Sequence, residues 1–576
     1  MKQETVRNKS NIVAGTIWIV FTILYLFVTQ YFLLVPINIH SLLFWEICLI
    51  YCIISFEIFW LFSNKMNSAK GRMPTASKLF ITACCILFLV ALIGFIIGLP
   101  FFFNAKKYAN LIEVEDGNEM TDIPNIETDP IIVVDQKSAQ KIGDRQLSKV
   151  KNSSFYDVDD EYNLINLDGN YVRVSPLNYG SFKKAKDSQS IPAYIQVEAT
   201  NLGEAQKASL VPLESPMIYS PSAIFDKKLK RALHFKYPTY IFGEKSFFEK
   251  DDDNNSYWIT PIVTPTIGLF SGKLEKSVVI LNASTGDAQI YGNDEIPLWV
   301  DHAHSVDYMF KLVYYHYVYQ NGYWNTTRFG SKKDVKYTSD SYRESKQENE
   351  DSEYTPYEGY NWVIGKDGQI YAYTGITSAN SAESNDGFVL LNARTAKAKF
   401  YSCQGAEEST VQDAAENGKI SNFHYSATFP TIGHIGDDMA YIMILKDNAG
   451  LVQYYAISQV QNFAKISQEK TLQQAVDVYL GRQPSGSLDT ANIELDESEA
   501  KITSEISGKV ATVKQASKEG NTYFFIVLEG DTNIYVSPIT ISNKQPILLK
   551  EGAGVTMKYH ESNEDGVEIV TEIEIK

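Results

Sequence analysis

Three long apolar runs open the chain, and none of comparable length follows. Residues 11–35, 42–62 and 79–103 are each long enough to cross a hydrocarbon core of about 30 Å as a helix. The first is rich in Ile, Leu, Phe and Tyr, lacks a small-residue cleavage site and precedes two more spans, so it reads as a membrane helix rather than a signal peptide. Flanking charges set the orientation. Lys2, Arg7 and Lys9 precede the first run, Lys65, Lys70 and Arg72 fill the link before the third, and the link 36–41 has no charge. The positive-inside rule places the N-terminus and the basic link in the cytoplasm, so three crossings send everything after Phe103 outside. Lys106 and Lys107 are the minority against this reading.

Past residue 130 the pattern shortens to strand-length alternation. Residues 278–291 read as strand, tight turn, strand, with Val278 to Leu281 on one side, Ile290 and Tyr291 on the other, and Gly286 where the turn needs φ > 0. Residues 388–401 repeat the pattern with Ala396 in place of the glycine, which predicts a different turn. Residues 441–455 repeat it loosely, and 194–206 form a fourth, weaker copy. Helical spacing interrupts at 306–320 and 472–480, and Lys366-Asp367-Gly368 marks a further hairpin.

The expected order is therefore a transmembrane anchor over 1–107, a polar spacer over 108–130, an α+β ectodomain of repeated β-hairpin units with helices over 131–483, a linker over 484–491, and a small OB-like or SH3-like β-barrel over 492–576. Within the ectodomain, 131–135 reads as a strand and 138–149 as a helix capped by Ser138. Residues 222–235 read as a basic amphipathic segment behind Ser222, and the charged stretch 331–354 reads as a surface loop.

Charge divides the 576 residues unequally. Up to Lys107 nine Lys and Arg face three acids, a net of +6, so the total of −17 leaves −23 for the rest. An acidic exterior of that size repels phosphate backbones, which argues against nucleic acid as a partner. The barrel segment alone carries eight basic and fifteen acidic residues, a net of −7; Tyr523 and Phe525, which alternate onto one face, are read as core or partner surface rather than a base-stacking platform. Four of the five cysteines (Cys48, Cys52, Cys84, Cys85) lie in the apolar runs, so Cys403 has no intramolecular disulfide partner in the soluble part.

Motifs for chemistry are sparse. Asp301-His302-Ala303-His304 with Asp307 could offer two imidazoles to a metal, but no third ligand stands at a defined spacing, and an exposed polar stretch is the expectation. Asp251 to Asn255 resembles the start of a calcium loop, but Ser256 and Ile262 stand where glycine and glutamate are needed, so a solvated turn is expected. No G-x-S-x-G, P-loop, H-E-x-x-H or C-x-x-C pattern is present, and Cys403 with His424 as its nearest histidine nominates no nucleophile. No catalytic residue, cofactor or metal is expected. Glu46 and Glu57 are the only acids in the apolar runs, and their spacing of eleven puts both on one helix face, a candidate contact for an intramembrane partner.

Four blocks carry a resemblance: Ile191-Pro192-Ala193-Tyr194; Tyr219-Ser220-Pro221 through Leu229-Lys230-Arg231 to Tyr237-Pro238-Thr239; Thr266 through Lys273; and Ala427-Thr428-Phe429-Pro430. Together they resemble an uncharacterised Firmicutes family of membrane-anchored proteins, and the hairpin itself is similar to that of PepSY-type domains. The resemblance implies a fold and a membrane-anchored location and carries no activity with it; the leading expectation is an extracellular, non-catalytic binding or scaffolding component of a Gram-positive cell envelope. Its partners would be the lipid bilayer and other envelope proteins. The alternative it implies is a regulator or inhibitor of extracellular proteases, with an envelope enzyme third.

Overall fold

The computed structural model describes the chain except for Met1 and residues 65–74, 99–102, 201–206, 328–329, 340–358, 380–383, 448–449, 483–503, 519–520, 532, 539–547 and 562–566. It divides into two units, Met1–Pro484 and Ser485–Lys576.

The apolar runs are the helices Lys2–Tyr31 (α1), Leu42–Asn64 (α2) and Thr75–Gly98 (α3), each long and apolar enough to cross a membrane. Apolar side chains gain nothing by leaving lipid for one another, so helix contacts there rely on packing and hydrogen bonds. Trp18 Nε1 donates to Ser55 Oγ at 3.0 Å, Tyr25 donates to the Ile47 carbonyl at 2.7 Å, and the Thr22 and Tyr51 hydroxyls meet at 2.9 Å. Phe59 stacks on Phe80 at 5.6 Å and ties α2 to α3.

The rest of the first unit is mixed α+β, built on four antiparallel sheets. Each has a core of four antiparallel strands in chain order, to which the first, third and fourth sheets add further strands. The first holds Asn163–Leu167, Asn170–Tyr179, Ile191–Glu198 and Ala208–Met217. The second holds Phe247–Lys250, Ser256–Ile267, Ser271–Asn282 and Ala288–Gly292. The third holds Asn361–Ile364, Ile370–Ser378, Ser384–Asn392 and Ala398–Tyr401. The fourth holds Thr431–Ile435, Asp438–Lys446, Val452–Gln459 and Ile466–Glu469. A helix follows each sheet: Leu229–Lys236, Val306–Tyr319, Glu408–Glu416 and Leu472–Tyr479.

Apolar residues run almost continuously through the long strands because both faces are covered. Alternate residues of a strand point to opposite faces. In the third sheet Val389 and Leu391 pack with Met309 and Val313 of the helix Val306–Tyr319, while Phe388 and Leu390 pack with Tyr441 and Met443 of the fourth sheet. Ile442 and Ile444, on the far side of the fourth sheet, join a cluster that includes Val133, Val134 and Ile165.

The hairpins 278–291 and 388–401 join the third and fourth strands of their sheets, and 441–455 joins the second and third strands of its own. In 194–206 the strands Ile191–Glu198 and Ala208–Met217 pair, while 201–206 fall outside the described residues. Gly286 sits at φ +81°.

Several local expectations are corrected. Residues 108–130 are not a free spacer, because Val114–Asp116 adds in parallel to Ala398–Tyr401 and Ile123 and Ile126 are buried. Residues 131–135 are extended but pair in no sheet; Val133 and Val134 N–H groups both donate to the Ala199 carbonyl. The following helix, Gln136–Gly143, is capped by Asp135, which accepts from the Ser138 amide, so Ser138 is inside the helix and not its cap. The basic helix begins at Leu229, and the Ser222 hydroxyl instead accepts from the Tyr179 amide. Within 331–354, Lys336–Thr338 is a strand beside Ile376–Ser378 with Val335 and Thr338 buried, and 340–354 lie outside the described residues.

The second unit is a closed barrel of Ser504–Lys518, Asn521–Leu528, Ile534–Pro538, Gly554–Glu561 and Val567–Ile575. The first strand pairs with the second and fourth, and the third runs parallel to the fifth. Its core takes Phe524, Ile526 and Leu528 with Tyr535, Met557 and Val570. Tyr523 and Phe525 point to the opposite face from that core.

Candidate functional site

The large domain is seated on one end of its own membrane helices. Arg231 Nε donates to the Tyr31 carbonyl at 2.9 Å and its guanidinium lies 4.3 Å from the Tyr31 ring centre. His234 Nε2 donates to Gln30 Oε1 at 3.0 Å, and burial pushes that imidazole's pKa down, so it stays neutral. The link between α1 and α2 is stitched on as well: Ile37 N–H donates to the Pro238 carbonyl, Asn38 to the Thr239 carbonyl, and His40 Nδ1 to the Leu269 carbonyl. Small residues let α3 approach. A Cβ at Gly94 would meet Leu269 at 2.8 Å, and one at Gly98 would meet the Ser271 hydroxyl at 2.6 Å. The docking residues Leu229 to Thr239 and Leu269 to Ser271 fall in two of the blocks that carry the family resemblance.

Above this seat the segment 301–307 is where unspent polar chemistry collects. The strand Phe247–Lys250 and the long strand Ser271–Asn282 bring Glu249 and Glu275 to it, and Ser305 caps the helix Val306–Tyr319. The expectation of an exposed polar stretch is overturned: His302 is 3 % and His304 0 % exposed. His304 Nδ1 donates to Glu275 Oε2 at 2.9 Å, and among the described residues its Nε2 has no hydrogen-bond partner. Burial, helped by the Arg173 guanidinium, holds the His302 pKa down to about 3, so the ring is neutral. The Leu164 carbonyl lies against the ring, and Nδ1, 4.0 Å from Glu249 Oε1, has no hydrogen-bond partner.

Next to the imidazoles two acids share one environment. Glu249 Oε1 accepts from the His302 amide at 2.8 Å, and Asp301 Oδ2 accepts from the Asn166 amide at 2.6 Å. Burial pushes the Asp301 pKa up to about 7, and burial with the neighbouring Asp301 charge pushes Glu249 well above the usual carboxylate range.

Both histidines line a cavity of about 280 Å³. Its wall is a run of rings: Phe310 lies 5.6 Å from Tyr360, Tyr360 5.8 Å from Trp362, and Trp362 4.6 Å from His302. At the mouth Lys245 bridges Glu161 at 3.1 Å and Asp307 at 3.8 Å. A larger cleft of about 530 Å³ shares Lys245, Ser305 and Asp307 and reaches Phe270 and Ser271 beside α3.

Among the described residues neither unpartnered imidazole nitrogen has a hydroxyl or thiol in hydrogen-bonding reach. Among the described residues no three of His, Cys, Asp and Glu are grouped to hold a metal.

The other sequence candidates lie apart from the cavity. Asp251 to Asn255 form a turn in which Asp251 accepts from the Asn255 amide at 2.7 Å, and Asp252 to Asn255 are exposed. Cys403 is buried in the cluster between the third and fourth sheets, and His424 is exposed. Glu46 and Glu57 are exposed on the outward face of α2, while Cys52 and Ser55 face inward. Sequence reasoning found His302, His304, Asp301 and Asp307 but missed Glu249, Glu275, Arg173 and Trp362, which no local motif marks. No family model, curated protein or solved structure matches the chain.

Proposed function

We propose that the protein is a membrane-anchored, non-catalytic binding component of a bacterial cell envelope, held with its large domain and barrel on the outer side. Support for the orientation comes from the basic N-terminus and basic 65–72 link, with the uncharged link 36–41 on the side where the domain sits. The observation that carries the binding reading is the ring-walled cavity of about 280 Å³ lined by Phe310, Tyr360, Trp362 and both histidines. Small-molecule sites are commonly concave, lined by aromatic rings with a few polar groups among them. The repeated hairpin units and the OB-like form of the barrel belong to this reading as an architecture that presents surface, and the PepSY-like resemblance favours the same setting. A regulator of extracellular proteases is the second reading, drawn from that resemblance alone.

Purification of the tagged protein from membranes in a mild detergent, followed by native mass measurement, tests the choice. A stable envelope assembly with the cavity intact supports the binding component. Co-purification of one protease whose activity rises on removal of this protein supports the regulator and displaces the first reading.

A further inference from the structure

We propose that a basic, aromatic face of the large domain docks on the anionic headgroup layer of the membrane that α1, α2 and α3 are long and apolar enough to cross. Phe182, Phe225 and Phe235 form this face together with the lysines beside them. None of these residues lines the ring-walled cavity, so the inference stands apart from the binding-component reading.

A chain of contacts places the face. Tyr31 ends the apolar span Ile12–Tyr31 of α1, which sets it at the hydrocarbon boundary. The Phe235 ring lies 6.0 Å from the Tyr31 ring and is 53 % exposed, so it stands at the same depth. Arg231, whose Nε donates to the Tyr31 carbonyl, donates through Nη1 to the Phe225 carbonyl at 2.7 Å. Phe225 in turn meets Phe182 edge to face at 5.6 Å, which brings the helix Phe182–Ser188 against the basic segment 225–236. Both of these rings are more than half exposed.

Charge selects the lipid. Residues 182–188 and 225–236 carry eight Lys and Arg and two acids, within a part of the chain whose net charge is −23. Lys183, Lys186, Lys228 and Lys230 are exposed. So are Lys106 and Lys107 at the end of α3, next to Tyr108, whose hydroxyl donates to the Gly98 carbonyl at 3.2 Å. Single exposed phenylalanines are ordinary on a soluble surface. Rings at the hydrocarbon edge with lysines around them match segments that lie in the headgroup region: the rings enter the acyl boundary while the lysine stems carry their ammonium groups to the phosphates. A neutral lipid engages the rings alone. Each lysine near an anionic surface strengthens the contact by about fivefold, an effect that salt screens.

The test is amide hydrogen exchange of the full-length protein in nanodiscs of phosphatidylcholine alone and of phosphatidylcholine mixed with phosphatidylglycerol. At low salt, exchange in 182–188 and 225–236 is expected to slow by about fivefold or more in the anionic discs, while the barrel is unchanged and high salt removes the difference. Replacing Lys183, Lys186, Lys228 and Lys230 together by glutamine should abolish the difference. Phe182→Ser with Phe225→Ser should reduce it. A variant whose sheet and barrel amides exchange faster than those of the native chain is misfolded and is set aside, and the lipid and salt dependence of the native chain then decides. Equal exchange in the two lipids at low salt, or protection that either folded variant keeps in full, overturns the proposal. Two further results do the same: inorganic phosphate giving the same protection in phosphatidylcholine discs, which marks a free-phosphate site, and protection found in native membrane vesicles but not in the anionic discs, which marks a protein as the occupant. Each of these failures leaves the cavity and the broader reading in place.

Discussion

Ala396 takes the same left-handed corner as Gly286. Their φ angles are 56° and 81°, and each amide donates to an asparagine carbonyl four residues back at 2.9 Å, Asn392 for Ala396 and Asn282 for Gly286. The asparagine side chains also match: Asn282 Oδ1 accepts from the Ser284 and Thr285 amides, and Asn392 Oδ1 from those of Arg394 and Thr395. The expectation that the missing glycine changes the turn is therefore corrected. The asparagine shapes the corner, and Ala396 is held in it at a conformational cost of about 1 kcal/mol.

Ala396→Gly is thus expected to raise stability by up to about 1 kcal/mol, the relief of strain being offset in part by the freer unfolded chain. Gly286→Ala should move the other way by about 1–3 kcal/mol, because its Cβ would also fall 2.4 Å from the Tyr219 ring. Denaturant melts of the two variants check the pair, and equal shifts in the same direction would contradict the shared corner.

Asp301 and Glu249 predict an acid-favoured stability. Both carboxyls have pKa values raised by folding, Asp301 to about 7 from an ordinary 3.8. The folded state therefore binds more protons than the unfolded chain between those values, and stability is greatest below about pH 4 for this pair and is lost as pH rises through 7. Asp301→Asn should flatten the fall between pH 5 and pH 8, a change on the order of a few kcal/mol at the alkaline end. Thermal melts across that range decide it; an unchanged slope in the variant would place the titration elsewhere.

Asp135 serves two masters. It caps the helix Gln136–Gly143 by accepting from the Ser138 amide at 2.8 Å, and it pairs with Lys446, whose pKa burial pushes down. Removing the acid strands a buried cation as well as a helix end, so Asp135→Ala should cost about 3–5 kcal/mol. Lys446→Met keeps the cap and replaces the cation with an apolar chain of similar length, and should cost at least 1 kcal/mol less. Chemical denaturation of the two single variants and the double variant would reveal the order and the coupling.

The membrane helices and the barrel were legible because their signals are local: an unbroken apolar run in the first case, alternation between turns in the second. The cavity was not. Glu249, Glu275 and Trp362 lie 27 or more residues from His302 and His304 in sequence and meet them only when the second and third sheets pack, so no spacing rule connects them. The same packing buries His302, Ala303 and His304 and leaves Asp307 exposed. Residues 108–130 were misread for a related reason: Ile123 and Ile126 are isolated among polar residues, and burial of single side chains leaves no period to detect. In the barrel, Phe524 joins the interior cluster, and Phe525 on the other face of that strand is buried as well.

The acidic barrel is expected to ignore nucleic acid. With eight basic and fifteen acidic residues over 492–576 its electrostatic term opposes phosphate at any salt concentration, and most strongly at low salt. Fluorescence titration of the full-length protein with labelled single strands at low salt should give no saturation, and micromolar binding that weakens with added salt would reverse the conclusion.

Glu46 and Glu57 remain as the one feature of the anchor that its own contacts do not explain. Eleven residues bring them to within about 20° of one helix face and about 16 Å apart along the axis of α2. That face is turned outward, and among the described residues neither carboxyl makes a hydrogen bond or ion pair, whereas Trp18, Thr22, Tyr25 and Gln30 of α1 all have partners. A carboxyl in hydrocarbon is disfavoured by roughly 2–3 kcal/mol near the centre of the bilayer, so replacing it with leucine should improve insertion of an isolated anchor. The prediction is that a helix of another membrane protein supplies a cationic or hydrogen-bonding side chain to this face. Glu46→Leu with Glu57→Leu should then preserve or increase membrane insertion while abolishing a photo-crosslink placed at Ile53, which lies on the same exposed face. The corresponding glutamine pair, still able to hydrogen-bond, should retain part of the crosslink. A crosslink of equal yield in the leucine pair, or none in the native sequence, would show that the two acids face only lipid.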